Sequence, residues 1–271
     1  MDSIHSDKKI FLSDLDGTLL TDQKTITPAT RAALDQFAAA GNVFAISTGR
    51  PMAGALKVQA QYELAYPGSY VVAFNGAEIY DSSAGKTIYR AEVDLSVTEE
   101  ILAMAAERQV HCQTYRDQYI ISPSYNEHLA FYRSGSNLPA IINESVMEEI
   151  TEPPCKLIAV DKYDKAKLDA FRDEIHAKFG DTLTTIFSND YYLEIFPKEA
   201  GKGAALRRLC EYLQIPKSRS LAAGDAENDL SMIQEAGIGI AMKNGSDQVK
   251  AAASVITEED NNHDGLVPFL K

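Results

Sequence analysis

The sequence predicts an α/β protein whose core is a doubly wound parallel sheet, interrupted by an inserted α+β cap domain. At both ends of the chain, apolar strand-like segments alternate with helix-like segments, a pattern typical of a parallel sheet covered on both faces. From about residue 84 short strands surround two helices, which indicates an antiparallel sheet with helices on one side. We therefore expect a discontinuous core domain (residues 1–83 and 191–271) and an inserted cap (residues 84–190).

The first part of the core is predicted to contain three strands, at Ile10–Ser13, Val43–Ser47 and Tyr70–Phe74. A helix is expected between the first two, because Thr27 is a good N-cap, Pro28 fits the first helical position and Gly41 ends the helix. After the third strand, Asn75-Gly76 predicts a tight turn into a further strand at Ala77–Asp81. The order strand, helix, strand is the one that a parallel sheet requires.

The predicted cap contains more strands than helices. Its strand-like segments are Thr87–Val93, Val110–Tyr115, Tyr119–Ser122, Leu157–Val160, Leu183–Phe187 and Leu193–Phe196, and its helices lie near Ser96–Gln109 and Asp164–Phe179. The alternating order then returns, with helices at Gly201–Leu213, Glu227–Ala236 and Ser246–Ala253 and strands at Ser220–Ala223 and Ile238–Ala241. Ligands of such folds bind at the carboxyl ends of the core strands, so we expect a substrate cleft between core and cap.

The composition excludes several classes of partner. A net charge of −13 argues against nucleic acid or an anionic membrane, because both are polyanions. Three cysteines, without C-x-x-C spacing, predict a reducing compartment and no structural zinc. Met1–Lys9 is too polar for a signal peptide and no apolar run is long enough to span a membrane, so we expect a cytoplasmic protein. The sequence predicts nothing about oligomeric state.

The segment Asp14-Leu15-Asp16-Gly17-Thr18 follows the first strand and is the strongest candidate for catalysis. Two carboxylates two residues apart, on a turn that Gly17 permits, can converge on one point, where one attacks phosphorus and the other transfers the proton of the leaving group. A plain turn also favours Asp and Gly. A strand followed by Asp-x-Asp-Gly-Thr is much more particular than Asp-Gly alone, so we predict that Asp14 and Asp16 are catalytic.

Two further segments offer groups that suit a phosphate. Thr48 and Gly49 follow the second strand and precede a helix opened by Pro51, which places a hydroxyl and free N–H groups at a helix N-terminus. Lys202 opens a later helix, where a lysine opposes the helix dipole, and this indicates a negative group nearby. Each signal is weak alone, since a plain N-cap and a solvated lysine are the ordinary explanations.

An acidic loop follows the strand at Ser220–Ala223. It contains Asp225, Asn228 and Asp229, and such a cluster of oxygen ligands suits a hard cation such as Mg²⁺, which uses only one or two carboxylates. The ordinary explanation is an acidic helix start stabilised by the helix dipole. The position of the loop, at the end of a core strand, favours the metal interpretation.

Taken together and in this order, the four segments resemble the motifs of the haloacid dehalogenase (HAD) superfamily. Within it the chain is similar to the Cof-type sugar phosphatases, which carry a large cap between the second and third motifs. The resemblance covers essentially the whole chain and includes Asn75-Gly76-Ala77 before the cap, the strand Tyr192–Ile195 that leaves it, and Asp264-Gly265 near the end. It implies a Rossmann-like HAD core and a Mg²⁺-dependent phosphatase that acts on small phosphomonoesters through an aspartyl-phosphate intermediate.

The resemblance also implies roles for the site residues. Asp14 would be the nucleophile and Asp16 the general acid and base. Mg²⁺ would be held by the Asp14 carboxylate, the Asp16 carbonyl and Asp225, with Asp229 supporting the metal and its waters. The phosphate would be bound by Thr48, Lys202, Asn228 and the backbone N–H groups around Leu15, Asp16 and Gly49. Metal and lysine would then offset the negative charge that an anionic substrate meets on this acidic protein.

Substrate selection would fall to the cap and the rim of the cleft, with Arg50, Asn75, Tyr191 and Glu194 as candidate residues. By resemblance, sugar phosphates are the first expectation, and pyridoxal phosphate and flavin mononucleotide are alternatives. Dehalogenation is disfavoured by Asp16 and the acidic loop, and a phosphomutase by the position of the cap. A non-catalytic sensor of a phosphorylated metabolite stays open, although it would not need Asp16.

Overall fold

The strands of the protein lie in two sheets. A computed structural model describes residues 7–271, so most of the polar segment Met1–Lys9 lies outside the described residues. In chain order the strands are β1 (Ile10–Ser13), β2 (Val43–Ser47), β3 (Tyr70–Ala73), β4 (Glu78–Asp81), β5 (Lys86–Arg90), β6 (His111–Arg116), β7 (Tyr119–Ser122), β8 (Ala140–Ile142), β9 (Leu157–Val160), β10 (Leu183–Asn189), β11 (Tyr192–Pro197), β12 (Ser220–Gly224), β13 (Ile238–Ala241) and β14 (Val255–Ile256).

The helices connect these strands and cover both sheets. They are α1 (Pro28–Ala39), α2 (Met52–Gln61), α3 (Leu95–Glu107), α4 (Glu127–Ser136), α5 (Val146–Glu149), α6 (Lys165–Phe179), α7 (Lys202–Leu213), α8 (Leu230–Glu235) and α9 (Asp247–Ala252). Short 3₁₀ turns lie at Phe74–Gly76, Lys217–Arg219, Glu227–Asp229 and Val267–Phe269. Within residues 7–271, no helix is both long and apolar enough to cross a membrane.

The first sheet has the order β14-β13-β12-β1-β2-β3-β4-β5. The strands from β14 to β3 are parallel, and β4 and β5 continue the sheet as antiparallel strands. Strand β1 lies between β12 and β2, so that Ile10 pairs with Ser220 on one side and with Val43 on the other. The predicted parallel core is confirmed.

Side chains of the central strands alternate between two apolar layers, as a sheet buried on both faces requires. Phe11 and Phe44 pack with Leu34 and Phe37 of α1 on one face. On the other face, the neighbouring residues of the same strands pack against α7, in a layer that contains Ile10, Leu12, Val43, Leu206 and Leu209. The sheet is therefore doubly wound, and the carboxyl ends of β1, β2 and β12 meet at one edge.

The second sheet has the order β10-β11-β9-β6-β7-β8 and is antiparallel except for the pair β7 and β8. Leu157 and Ala159 of β9 face an apolar layer with α3 and α6, which includes Ile101 and Phe171. This layer agrees with the expected antiparallel sheet covered by helices.

The sequence predicted helices on one side of this sheet, but a helix also covers its other face. Ile158 and Val160 of β9 face the opposite way and pack with Leu129 and Tyr132 of α4, a helix that the sequence pattern did not reveal. Residues 134–136 are Ser-Gly-Ser, which are poor helix formers, and α4 is instead stabilised by packing and by Asn126, whose side chain caps the Leu129 N–H at 3.0 Å. Helix α4 therefore lies on the face of the second sheet that is turned towards the core.

The chain passes from one sheet to the other later than the predicted domain boundaries. Strand β5 lies after residue 83 yet pairs with β4 in the first sheet, because a short turn joins the two strands into a hairpin. Strand β11 lies after residue 190 yet pairs with β10 and β9 in the second sheet, again as a hairpin. By sheet membership, the inserted part therefore runs from after Arg90 to Pro197, and its independence as a domain stays a prediction.

Candidate active site

The candidate catalytic groups lie where three neighbouring parallel strands end. Asp14 follows β1, Thr48 follows β2 and Asp225 follows β12. At two of these points the hydrogen bonds between neighbouring strands continue one residue past the strand end. Asp14 N–H donates to Ala223 C=O at 3.0 Å, and Thr48 N–H donates to Val72 C=O at 2.8 Å. The sheet thus fixes where each side chain leaves the backbone.

Lys202 is fully buried at the start of α7, between two carboxylates. Its Nζ donates to Asp14 Oδ1 and to Asp229 Oδ1, both at 2.6 Å. Gly201 and Gly76 have positive φ angles of 127° and 94°, and a Cβ on Gly76 would lie 2.3 Å from the Gly201 carbonyl. These glycines allow the close approach that aims the lysine at the end of β1, which explains a lysine at this unfavourable helix position.

The remaining carboxylate oxygens leave room for a cation. Asp229 uses its second oxygen to accept the N–H groups of Asp225 (2.9 Å) and Ala226 (3.1 Å). Asp225 Oδ1 accepts from the Thr18 hydroxyl at 2.7 Å. Carboxylate oxygens of Asp14, Asp225 and Asp229 lie within 4.8 Å of one another. Three carboxylates against one lysine leave two negative charges, so a divalent ion with oxygen ligands such as Mg²⁺ fits the site.

The electrostatics of the cluster agree with this reading. Burial raises the pKa of Asp14 well above its ordinary value, and Asp229 and Asp225 add to the rise against the lowering effect of Lys202. Burial also raises the pKa of Asp225 to about 7, with the Asp229 charge as the next cause. Burial alone would lower the pKa of Lys202, but Asp14 and Asp229 raise it, so the lysine stays cationic.

Asp16 lies apart from this cluster and is held by two cations. Arg50 donates from Nε to Asp16 Oδ2 at 2.9 Å and from Nη2 to Oδ1 at 2.8 Å, and Lys24 Nζ donates to Oδ1 at 2.7 Å. Burial would raise the pKa of Asp16, but the hydrogen bonds and charges of Arg50 and Lys24 outweigh it and lower the pKa. The sequence does not indicate a role for Lys24, because a single lysine in the loop after β1 belongs to no recognisable pattern.

The candidate phosphate ligands lie beside these carboxylates. Thr48, Gly49 and Asn228 line the same cleft as Asp14 and Lys24. The buried Thr48 hydroxyl accepts the N–H of Arg50 at 3.2 Å, in the loop that leads into α2. The Leu15 side chain is fully buried in the core, which leaves its backbone for the predicted role.

The cap forms the opposite wall of the cleft, whose volume is about 300 Å³. The cap residues that line the cleft are Tyr132, Gly135, Ser136, Lys156, Ser188, Asn189, Tyr192 and Glu194. The buried Ser136 hydroxyl has no hydrogen-bond partner among residues 7–271. Except for Glu194, the sequence does not predict these residues, because they lie on separate cap segments that only tertiary packing brings together.

Of the four candidate substrate residues, Arg50 and Glu194 line the cleft. Asn75 is buried behind it, where it donates to Glu194 at 3.4 Å and accepts from Asn228 at 3.2 Å. Tyr191 does not line this cleft: the residue is 41% exposed and its ring packs against Phe131, so its role in substrate selection stays a prediction. Tyr192 lines the cleft instead, because residues two apart on a strand share one face, and Tyr192 and Glu194 are such a pair on β11.

Comparisons with known proteins agree with this geometry. The sequence profile of the haloacid dehalogenase-like hydrolases matches residues 11–270. A 5-amino-6-(5-phospho-D-ribitylamino)uracil phosphatase of Bacillus subtilis is 32% identical, over 95% of this chain and 94% of its own. A haloacid dehalogenase-like hydrolase of Bacteroides thetaiotaomicron superposes with a TM-score of 0.88 at 26% identity, over 97% of this chain and 98% of its own. A Thermotoga maritima protein of known crystal structure gives 0.83 at 30% identity, over 97% and 96%.

Proposed function

This chain belongs to the Cof-type branch of the haloacid dehalogenase superfamily and is a phosphatase of that family; from this premise we propose that it is Mg²⁺-dependent and forms an aspartyl phosphate on Asp14. The observation that carries the proposal is the cluster at the end of β1. There the Asp14 carboxylate is held at 2.6 Å by a buried lysine and lies beside two further carboxylates. A carboxylate attacks a phosphate dianion only where positive charge offsets the repulsion, and here Lys202 together with a bound divalent cation would supply that charge.

In this proposal Mg²⁺ would be held by Asp14, Asp225 and the Asp16 carbonyl, and Asp229 orients the loop by accepting its N–H groups. The bound ion would neutralise charge on the phosphate oxygens and on the nucleophile. Lys202 favours the ionised form of Asp14, against the effect of burial, and its hydrogen bond aims the carboxylate. Thr48, Gly49, Asn228 and the backbone at Leu15 bind the phosphate oxygens from the side of the cleft that they line.

Asp16 acts on the leaving group. In the first step Asp14 attacks phosphorus, and Asp16 donates a proton to the departing alkoxide. In the second step Asp16 takes a proton from the water that hydrolyses the aspartyl phosphate. Its pairing with Arg50 and Lys24 favours the ionised form that the second step needs. The phosphate of a bound substrate competes with Asp16 for the Arg50 guanidinium, since arginine binds phosphate and carboxylate by the same two-bond geometry. That competition loosens the hold on Asp16 when a substrate is present.

We propose a small phosphorylated metabolite as the substrate, rather than a nucleic acid or a membrane component, and a cytoplasmic location. The first candidate class is the sugar phosphates, since the cap wall offers hydroxyl and amide groups at Ser136, Ser188 and Asn189. Such groups suit a polyhydroxylated leaving group.

A second candidate is a polyol phosphate that carries an aromatic ring. Tyr132 and Tyr192 line the cleft with their rings 5.3 Å apart, which gives an aromatic surface for a heterocycle. The Bacillus subtilis relative is named for a phosphoribitylamino-uracil, and flavin mononucleotide carries the same phosphoribityl arm. Both compounds, together with pyridoxal phosphate, belong in the test.

The test is phosphate release from a panel of sugar phosphates, pyridoxal phosphate, flavin mononucleotide and the phosphoribitylamino-uracil, with Mg²⁺ and with a chelator. We expect turnover with Mg²⁺ and a loss of at least ~10³-fold in kcat, about 4 kcal/mol, for Asp14→Asn and for Asp16→Asn. Tight binding without hydrolysis of any compound would favour the sensor and contradict the proposal.

A further inference from the structure

A buried ion pair of the cap has no part in the mechanism proposed above. Lys156, immediately before β9, is 1% exposed, and Glu194 on β11 is 4% exposed. Lys156 Nζ donates to the Glu194 carboxylate, and both residues line the cleft. Burying two such ions costs on the order of several kcal/mol each before their attraction is counted, so a buried pair is poor evidence for stability alone.

Lys156 also crosses from the cap to the core. Its Nζ donates to the Gly49 carbonyl at 2.6 Å, in the loop between β2 and α2. This loop carries Thr48 and leads to Arg50. A cap residue therefore holds the backbone of the core segment that is proposed to bind the phosphate.

The contact fixes the orientation of one peptide group. Because a trans peptide is planar, the Gly49 carbonyl and the Arg50 N–H point in opposite directions. With the carbonyl held towards Lys156, the Arg50 N–H is turned towards Thr48, whose hydroxyl accepts it at 3.2 Å. From the same residue the guanidinium extends to Asp16. The position of this single peptide thus determines where both the threonine hydroxyl and the Asp16 partner lie.

Glu194 restrains the loop from a second direction. It accepts from Asn75 at 3.4 Å, and Asn75 in turn accepts from Asn228 at 3.2 Å. A Cβ at Gly49 would lie 2.9 Å from Asn75 Oδ1 and 3.5 Å from Glu194 Oε1. The loop is therefore packed closely against Asn75 and Glu194, with no space for a side chain at Gly49.

We propose that Lys156 is a positioning residue for phosphoryl transfer and that Glu194 is the counter-ion that holds it. The cap, through this pair, sets the geometry of the Thr48–Arg50 loop independently of the leaving group. This inference rests on the proposed phosphatase function, and it adds to the cap a role beyond covering the cleft.

The principal variant is Lys156→Met, which keeps the length of the side chain and removes its charge. We expect kcat to fall ~10²-fold, because a displacement of about 1 Å in a positioning group has that effect, while KM changes less than ~3-fold. The factor should be the same for a small aryl phosphate and for a sugar phosphate. A loss confined to one leaving group would mean that Lys156 binds that group, and would overturn the proposal.

The double variant Lys156→Met/Glu194→Leu separates positioning from stability. Removing one partner leaves a buried, unpaired charge, whereas removing both replaces the pair by apolar groups. We therefore expect the midpoint of urea unfolding to fall in the single variant and to recover in the double variant, with kcat still low in both. Recovery of kcat together with stability would show that the pair is only structural.

Leu168→Ala is the matched control, because Leu168 is fully buried in the apolar layer between the second sheet and α6, away from the cleft. It should lower the unfolding midpoint without the loss in kcat. Amide hydrogen exchange at Gly49 and Arg50 should accelerate in Lys156→Met and not in Leu168→Ala; equal behaviour of the two variants contradicts the proposal. Should the wild type hydrolyse no phosphomonoester, the proposed function fails, and the exchange measurement still tests the contact by itself.

Discussion

The core side and the cap side of the cleft differ in how their charges are balanced and in how their residues are brought together. On the core side, three carboxylates surround one lysine, and the side chains leave from the ends of adjacent parallel strands. On the cap side, the charged residues Lys156 and Glu194 form a balanced pair, and the other lining groups are hydroxyls, an amide and aromatic rings. The core side therefore suits a cation and a phosphate, and the cap side suits an uncharged leaving group.

This difference predicts how substitutions in each wall affect the reaction. A substitution on the core side disturbs an excess of charge and should affect the chemical step for every substrate. A substitution among the uncharged cap residues should change which leaving group is accepted. Lys156 is the exception that our inference identifies, since it belongs to the cap and contacts the core loop.

The largest effect is expected on the core side, from Lys202→Met. It removes the cation that holds Asp14 and leaves buried carboxylates unpaired, so kcat should fall at least ~10³-fold and the free energy of unfolding by about 3–5 kcal/mol. Steady-state kinetics and urea unfolding measure both quantities. Lys198→Met, which removes an exposed lysine, is the control and should leave kcat unchanged. Equal kinetics of the two variants would remove the distinction between the two walls.

Addition of Mg²⁺ should give the next largest effect, and one that depends on pH. A carboxyl whose pKa is higher in the folded than in the unfolded protein stabilises the fold while it is protonated. For Asp225, with a pKa of about 7, this contribution is full below about pH 4 and is lost as the pH rises through 7. Protons and the metal compete for the same oxygens, so the metal should stabilise most where Asp225 is ionised.

We therefore expect Mg²⁺ at ~100 times its Kd to stabilise the protein by about 2.7 kcal/mol near pH 8, and by clearly less near pH 5.5. Differential scanning calorimetry of wild type and Asp225→Asn measures the shift in Tm. The variant should lose most of the shift at the higher pH. A shift of the same size at both pH values, or in both proteins, would argue against a metal at this cluster.

On the cap side, Tyr192→Ala should raise KM ~10-fold, about 1.4 kcal/mol, for substrates that carry an aromatic ring. The effect on a simple sugar phosphate should be smaller. Tyr191→Ala is the matched control, because the neighbouring ring lies outside the cleft and packs on Phe131. If Tyr191→Ala has the larger effect in competition assays, the described cap wall is not the wall that meets the leaving group.

The smallest effect is expected from Lys24→Met at the rim between the two walls. Lys24 is 60% exposed in its ion pair with Asp16, and such pairs contribute about 0–1 kcal/mol. We expect kcat to change less than ~5-fold, since Arg50 still holds Asp16 by two hydrogen bonds. A change as large as that of Asp16→Asn would show that Lys24 itself takes part in the reaction.

The two walls also differ in how far the sequence alone predicts them. Asp14, Thr48 and Asp225 were predictable because each directly follows an apolar strand, and the ends of adjacent parallel strands meet at one edge. The unfavourable helix position of Lys202 was only a weak signal by itself, and its role was implied by the resemblance to the superfamily motifs. The cap wall was not predictable, because Tyr132, Lys156 and Ser188 lie on different elements that become neighbours only through tertiary packing.

The differences between the expected and the observed structure have the same origin. Helix α4 ends in Ser-Gly-Ser, whose helix propensity is weak, and its packing on the sheet overrides that propensity. The first domain boundary was predicted where the pattern of strands and helices changes, whereas the chain changes sheets only after each hairpin is complete, and the division into domains stays a prediction. Tyr191 was a candidate and Tyr192 was not, although Tyr192 lines the cleft; the turn between β10 and β11 sets which of the two residues faces it.

The most direct test of the account is to trap the phosphorylated enzyme. Wild type and Asp16→Asn are mixed with Mg²⁺ and a sugar phosphate, quenched in acid and reduced with borohydride, which converts an aspartyl phosphate to homoserine. We predict homoserine at position 14 by peptide mass spectrometry. Asp16→Asn removes the acid of the first step and the base of the second, so its homoserine should form more slowly and persist longer than that of the wild type. Substrate hydrolysis with aspartate unchanged at position 14, or with the modification on another residue, would contradict the central claim that Asp14 receives the phosphate.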